Sequence, residues 1–114
     1  MEVIAASSQI TKLCGWDSTY RVKRLGAVVA RKLEMRLAQF EAADNMAALS
    51  AIPGAKPHPL TGGRKGQYAV TVHGGVRLVF EPHHRPVPRT SDGGLDLVAV
   101  TAICITEIGD YHSG

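Results

Sequence analysis

The sequence predicts an α+β fold in which N-terminal helices pack on one face of an antiparallel β-sheet. Apolar side chains recur every three or four residues over residues 18–42, which is the spacing of one helix face. Residues 68–81 instead alternate in polarity around a Gly-Gly pair, as in a β-hairpin. A length of 114 residues suits one modest hydrophobic core. We therefore expect a single domain over residues 1–114.

The main helix is predicted to run through residues 18–42. Asp17 or Ser18 can cap its start, because their side chains accept hydrogen bonds from N–H groups of the first turn. Its basic side chains lie mostly off the apolar stripe and form a solvated face. A shorter helical piece at residues 45–49 ends before Pro53, since proline disfavours helix in the preceding residue. The apolar stripe consists of Val22, Leu25, Val29, Leu33, Leu37 and Phe40.

Strands dominate the second half of the chain. Residues 68–81 are predicted to form a hairpin whose two-residue turn is the Gly-Gly pair. Residues 82–95 contain three prolines and two glycines and are expected to form an exposed loop. Residues 95–108 resume an apolar, β-branched pattern that suits a long central strand, which residues 109–114 then leave.

Composition excludes several classes of protein. Hydrophobic residues make up 45% of the chain and charged residues 20%, unlike a disordered chain. No apolar stretch is long enough to cross a bilayer. The chain turns polar by Ser7 without a secretory signal pattern, so we expect a cytoplasmic protein with no membrane partner. Cys14 and Cys104 lack the spacing of a zinc site, which favours two small hydrophobic side chains.

Positive charge is concentrated between residues 54 and 90. This stretch holds six basic residues and one acidic residue, although the net charge of the whole chain is only +3. Four of the five histidines also lie in it. Clustered cations attract anionic partners such as nucleic acids. The functional site is therefore expected in the second half of the chain.

A glycine-rich basic segment at residues 56–66 is the first candidate. Its glycines let the backbone approach a phosphate closely, and Lys56, Arg64 and Lys65 can neutralise the charge. It lacks the GxxxxGK[ST] arrangement of nucleoside triphosphate sites. The alternative is an ordinary solvated loop between a helix and a strand.

Arg77 is the second candidate, because it lies inside an apolar hairpin strand. Strand alternation aims its side chain away from the face of Val76 and Leu78. A guanidinium in that setting needs an anion. The anion is either a bound ligand or, as the structural alternative, the carboxylate of Glu81 or Asp110.

The C-terminal Asp110-Tyr111-His112 is the third candidate. Histidine exchanges protons near neutral pH, and Asp110 can orient or charge-pair the imidazole. The alternative is an untethered tail without a function. His83 and His84 could suggest a metal site, but their proline-rich loop supplies no carboxylate or cysteine partner nearby, so no metal is expected.

The order of these segments resembles the HigB-like members of the RelE/ParE toxin superfamily. The resemblance covers roughly residues 20–112. An HPLxGxRxG motif followed by a strand arginine and a terminal DYH is much more specific than DYH alone. The matching segments are residues 37–42, Ile52-Pro53-Gly54, His58-Pro59-Leu60-Thr61-Gly62-Gly63-Arg64-Lys65-Gly66, Val76-Arg77-Leu78-Val79-Phe80 and Asp110-Tyr111-His112.

This resemblance implies a microbial-ribonuclease-like fold that cuts messenger RNA on the ribosome without a metal or cofactor. An antiparallel sheet would present basic and histidine side chains to RNA in the decoding site. His58 and His112 would transfer protons, with the acid and the base not yet distinguished. Arg77 would stabilise charge on the phosphate. Tyr111 would stack on a base or donate a hydrogen bond, and Asp110 would orient the terminal histidine.

Two positions depart from the family pattern. Thr61 stands where relatives often have a lysine, and Gly63 where they often have an aspartate. One phosphate contact is therefore either missing or supplied by Lys56 or Lys65. Arg64 would help the strand arginine through forked hydrogen bonds.

The resemblance also implies partners. A cognate helix-turn-helix antitoxin of the HigA type would bind the protein and make the contacts with operator DNA, since this chain has no recognition-helix signature. The ribosome with its messenger RNA would be the target. The alternative function is that of ParE-like toxins, which have the same fold and inhibit DNA gyrase without cutting RNA. Histidines at both expected ribonuclease positions favour the enzyme, and a third possibility is an inactive relative that only binds its antitoxin.

Overall fold

The computed structural model describes residues 1–15 and 17–110 of the chain. Helices fill most of the first half, and four of the five strands lie in the second. None of the helices within these ranges is long and apolar enough to span a membrane. The elements are β1 (Glu2–Ala5), α1 (Ser8–Cys14), α2 (Ser18–Leu25), α3 (Ala27–Ala42), α4 (Met46–Ser50), β2 (His58–Pro59), β3 (Tyr68–His73), β4 (Val76–Pro82) and β5 (Ala102–Asp110), with 3₁₀ turns at Gly62–Arg64 and Leu97–Ala99.

The five strands form one sheet in the order β1-β5-β4-β3-β2. Strands β2 to β5 pair antiparallel, whereas β1 runs parallel to β5 with Glu2 opposite Ala102. The α+β prediction is confirmed. The edge strand β1 and the helix α1 are additions, because the sequence analysis predicted no element before residue 18. β5 lies between β1 and β4, as expected of an internal strand.

The helix predicted over residues 18–42 is in fact two helices. α2 ends and α3 begins at Gly26, whose φ of +85° is open mainly to glycine. The prediction of one helix was wrong because the apolar spacing continues through this residue. The break depends on the backbone conformation of one glycine, which periodicity does not detect.

The starts of two helices are capped by side chains, of which the sequence analysis predicted Asp17 and not Asn45. The Asp17 carboxylate accepts the Thr19 N–H at 3.0 Å at the start of α2. The Asn45 Oδ1 accepts the Ala48 N–H at 2.9 Å at the start of α4. The short helical piece predicted at residues 45–49 is therefore confirmed to within one residue.

Arg21 joins the first three helices. Its side chain is only 4% exposed, and its guanidinium donates to the carbonyls of Leu13, at 3.1 Å, and Gly15. Its Nε lies 3.2 Å from the Glu34 carboxylate. A buried charge is tolerated only with such partners. Nearby, burial raises the pKa of Cys14 to about 11 despite the opposing effect of the Arg21 charge.

The hydrophobic core lies between the helices and one face of the sheet. Phe40 of α3 meets Phe80 of β4 edge to face, with ring centroids 5.1 Å apart. Of the predicted stripe, Leu33, Leu37 and Phe40 are buried, whereas Val22 in α2 is 41% exposed. The sheet contributes Val70, Val72, Leu78, Phe80, Ile103 and Ile105 to this core.

The predicted hairpin is confirmed, with Gly74 and Gly75 between β3 and β4. The loop predicted over residues 82–95 is also confirmed for most of its length. Pro82 belongs to β4, and Arg89 forms an isolated bridge with Leu95.

The last strand is displaced from its predicted position. The prediction placed it at residues 95–108, but β5 runs from Ala102 to Asp110 and a 3₁₀ turn occupies Leu97–Ala99. The β-branched pattern does not distinguish the turn from the strand. The prediction that the chain leaves the strand at Gly109 was also wrong, because Gly109 pairs opposite Arg77.

Candidate nucleic-acid interface

The sheet face that points away from the helices carries the candidate site. Residues directly opposite each other in paired strands project from the same face. The strand register therefore shows which residues lie on this face. Two rows of opposed residues cross this open face, the first being His58, Ala69, Val79 and Glu107 and the second Thr71, Arg77 and Gly109.

His58 and Arg77 line one groove on the open face. The groove has a volume of about 350 Å³, and Thr71 of the intervening strand also lines it. Both side chains are exposed, and Arg77 points away from the core residue Leu78, as alternation predicts. The structure thus brings together a group that can exchange a proton and a cation that can hold a phosphate.

The glycine-rich segment is a compact turn beside β2. The Leu60 N–H donates to the Gln67 carbonyl at 2.9 Å and closes the turn, and the Lys65 N–H donates to the Gly62 carbonyl at 3.2 Å inside it. Gly62 and Gly66 have φ values of +64° and +95°, which side chains disfavour. The segment is therefore an exposed turn of defined shape, and whether it binds a phosphate stays a prediction.

Arg64 reaches across the open face from this turn. Its Nη2 lies 2.8 Å from the Glu107 Oε1, in an ion pair whose side chains are 43% and 44% exposed. Because β3 and β4 separate β2 from β5, the pair crosses above Ala69 and Val79, which are 3% and 0% exposed. Arg64, which was predicted to assist Arg77 at the phosphate, is therefore held by a carboxylate of β5.

Glu107 is a residue of this face that the sequence analysis missed. Alternation from the buried Ile105 would aim it into the core. However, Val79 lies opposite Glu107 while the next residue of β4 lies opposite Ile105, so Thr106 forms a bulge. The Thr106 hydroxyl donates to the Val79 carbonyl at 3.3 Å. A lone acidic residue in an apolar strand was the signal that could have identified Glu107.

Lys56 and Lys65 flank the open face. Both side chains are exposed, Lys56 just before β2 and Lys65 in the turn after it. Within residues 1–15 and 17–110, neither lysine belongs to an ion pair. Both are therefore accessible to a phosphate, as the sequence analysis expected.

The third candidate lies at the end of the described chain. Asp110 is exposed and terminates β5, directly after the residue that lies opposite Arg77. Tyr111 and His112 lie outside the described residues. Their roles, and the orienting role of Asp110, stay predictions.

His83 and His84 hold the proline-rich loop to the sheet. The His84 Nε2 accepts the N–H groups of Thr101 and Ala102 at 3.1 and 3.3 Å, and the His83 N–H donates to the Ala102 carbonyl at 2.9 Å. The accepting nitrogen uses the lone pair that a metal would need. In the part of the chain that the structure describes, no cluster of three or more His, Cys, Asp or Glu residues is suited to a metal ion.

The fold is shared with a solved toxin structure. The chain is similar to a YoeB/ParE toxin from Agrobacterium tumefaciens, with a TM-score of 0.56 over 98% of this chain and 100% of the other. Sequence identity is 15%, so the similarity establishes the RelE/ParE-type toxin fold alone. No protein-family model and no curated protein sequence matches this chain.

Proposed function

We propose that this chain, which has the RelE/ParE-type toxin fold, is the toxin of a type II toxin-antitoxin system and cleaves messenger RNA on the ribosome. The observation that carries the proposal is that His58 and Arg77 line one groove on an open sheet face. Metal-free RNA cleavage needs a proton-transfer group and a cation at the same phosphate. The HPLxGxRxG segment beside the groove favours the HigB-like branch.

In the proposed reaction, the ribose 2′-hydroxyl attacks the adjacent phosphorus. A base removes its proton as the new P–O bond forms, and an acid protonates the 5′-oxygen as its bond to phosphorus breaks. The products are a 2′,3′-cyclic phosphate and a 5′-hydroxyl end. We assign the two proton transfers to His58 and His112, charge stabilisation to Arg77, orientation of the terminal histidine to Asp110, and base stacking or hydrogen bonding to Tyr111.

The flanking cations have a separate role in this proposal. Lys56 and Lys65 attract the RNA backbone irrespective of sequence, because each neutralised phosphate releases counterions. Arg64 contributes less than the resemblance implies, since Glu107 occupies part of its guanidinium. The charge needed in the transition state therefore comes mainly from Arg77, which a β-strand holds in place.

The proposal includes partners for the toxin. A HigA-like helix-turn-helix antitoxin would neutralise it and would make the operator DNA contacts for both proteins. The ribosome would present the messenger to the open sheet face. Co-expression with the neighbouring reading frame and co-purification of the two proteins tests the first of these partnerships.

Mapping RNA ends after brief induction without antitoxin tests the activity. We expect growth arrest and new 5′-hydroxyl ends within coding regions. His58→Gln and His112→Gln should each reduce cleavage by about 10²- to 10⁴-fold, because glutamine keeps polarity but exchanges no proton near neutral pH. Intact messages together with trapped gyrase-DNA complexes would instead identify a ParE-like gyrase inhibitor. Antitoxin binding without either effect would identify an inactive relative.

A further inference from the structure

Three grooves with shared lining residues follow one another from the β2 edge of the sheet to the loop after β4. The groove that contains His58 and Arg77 shares residues 59 and 60 with a second groove of about 540 Å³. A third groove, of about 290 Å³, continues from the second toward the proline-rich loop. The three form one track that begins at the candidate site and passes around the β2 edge, because Tyr68 lies opposite the core residue Phe80 and projects from the other face of the sheet than His58 and Arg77. The second and third grooves share Lys65, Gly66, Tyr68 and Arg89.

The shared part of the track combines cations with a fixed aromatic ring. Among the described residues, neither Lys65 nor Arg89 belongs to an ion pair, and Arg89 donates to the Gly93 carbonyl at a long 3.4 Å. Tyr68 is half-buried on β3, and its ring packs 6.1 Å from that of Phe80. Cations that follow a backbone and aromatic faces that stack on bases are the two features of single-strand nucleic-acid grooves.

The far end of the track has different chemistry. Its walls are the apolar side chains of Pro82, Val87 and Leu95, and Glu81 supplies a carboxylate. A carboxylate repels a phosphate but accepts a hydrogen bond from the exocyclic amino group of a base such as cytosine. This end therefore suits a base, whereas the part beside Lys65 and Arg89 suits a phosphate.

We propose that the track is a second RNA subsite, which binds single-stranded nucleotides that flank the cleaved bond. A base stacks on Tyr68, the adjoining phosphate lies between Lys65 and Arg89, and the next base enters the compartment of Glu81. The proposal rests on the RNA-cleaving function proposed above. It extends the interface to Arg89, which lies outside the HPLxGxRxG segment and on the loop after β4.

Binding of oligocytidylates of two lengths tests the subsite. The protein carries His58→Gln to suppress cleavage, and fluorescence anisotropy compares chains of about three and about eight nucleotides, the longer one within known single-strand site sizes. One stacking contact and one phosphate contact should make the longer chain bind about tenfold more tightly or better. Arg89→Ala should remove most of this gain.

The salt dependence gives a second measurement that a merely structural role of Arg89 would not change. Each lost phosphate contact reduces the slope of log K against log salt by about 0.7 for a single strand. Arg89→Ala should reduce the slope by about 0.7, and Lys65→Ala with Arg89→Ala by about 1.4. Arg85→Ala is the matched control, because Arg85 is on the same loop but lines none of the three grooves of the track.

Two results would overturn the proposal in distinguishable ways. The track is not an RNA subsite if the longer oligonucleotide binds no more tightly than the shorter one, or if the Lys65→Ala, Arg89→Ala double variant keeps both the tighter binding and the salt slope. In that case, cleavage and binding of the short oligonucleotide would still support the proposed function. If neither oligonucleotide binds and induction leaves RNA ends unchanged, the proposed function fails and the subsite fails with it.

Discussion

Neutralising Glu107 should strengthen RNA binding while weakening the fold slightly. In Glu107→Gln, the amide keeps the size of the side chain but loses the negative charge that holds Arg64 at 2.8 Å across the open face. The guanidinium is then released toward a phosphate, and one repulsive charge disappears from the site. Binding and stability should therefore change in opposite directions.

The sizes of both changes follow from the exposure of the pair. Since its side chains are 43% and 44% exposed, water and salt screen the pair, and its loss should cost about 0.2–1 kcal/mol of the free energy of unfolding. The melting temperature should fall by roughly 5 °C at most. One additional phosphate contact raises the salt slope by about 0.7, which corresponds to about fivefold tighter single-strand RNA binding near 0.1 M salt.

Titration of single-stranded RNA at several salt concentrations, in the His58→Gln background, measures the affinity and the slope. Urea denaturation measures the stability. Glu41→Gln is the control, because it removes an equal charge from an exposed position on α3. Weaker RNA binding in Glu107→Gln would refute this reasoning, since it would mean that the carboxylate positions Arg64 for RNA and does not compete with it.

Three further variants address catalysis, the helix break and pH. Arg77→Ala should lower cleavage roughly 10²-fold or more, because it removes a positioned phosphate donor. Arg85→Ala should lower it far less, since an exposed loop cation gives only an attraction screened by salt. Equal losses in RNA-end mapping would contradict the role assigned to Arg77. Gly26→Ala should cost about 1–3 kcal/mol in urea denaturation, because φ is +85°, whereas Gly63→Ala, with space for a Cβ, should cost little. Because the folded pKa of Cys14 is raised from 9.0 to about 11, the stability that the neutral thiol contributes is present below pH 9 and lost as pH rises toward 11. Cys14→Ala should remove this loss of stability between pH 9 and about 11. If the free energy of unfolding of the variant fell with pH as it does in the unchanged protein, the assignment to Cys14 would be contradicted.

Local signals in the sequence were sufficient for the hairpin and most helix positions. The Gly-Gly turn between two alternating runs sets the hairpin by itself. Asp17 likewise marks the start of α2 through a hydrogen bond within two residues. The prediction that Arg77 points away from the core also depended only on alternation within one strand.

The features that the sequence did not predict depend on backbone detail or distant pairing. The break at Gly26 is one unusual φ value inside a continuous apolar stripe. Glu107 reaches the open face only because Thr106 forms a bulge against β4. The proximity of His58 to Arg77 requires the register of β2, β3 and β4 together. The sequence analysis singled out His58 and Arg77 separately, from their residue types. That they line one groove follows from the pairing of the strands.

The parallel pairing of β1 with β5 affects how the protein is made. Glu2 cannot pair until Ala102, its partner in β5, has been synthesised. Pairing of β1 with β5 is therefore a long-range contact, which forms slowly. Until β5 has been synthesised, β1 has no neighbour and β4 presents an unpaired edge, which favours association with other chains. The open face also lacks the residues of β5 until then. The open face that carries His58 and Arg77 is therefore complete only once β5 has paired with both β1 and β4.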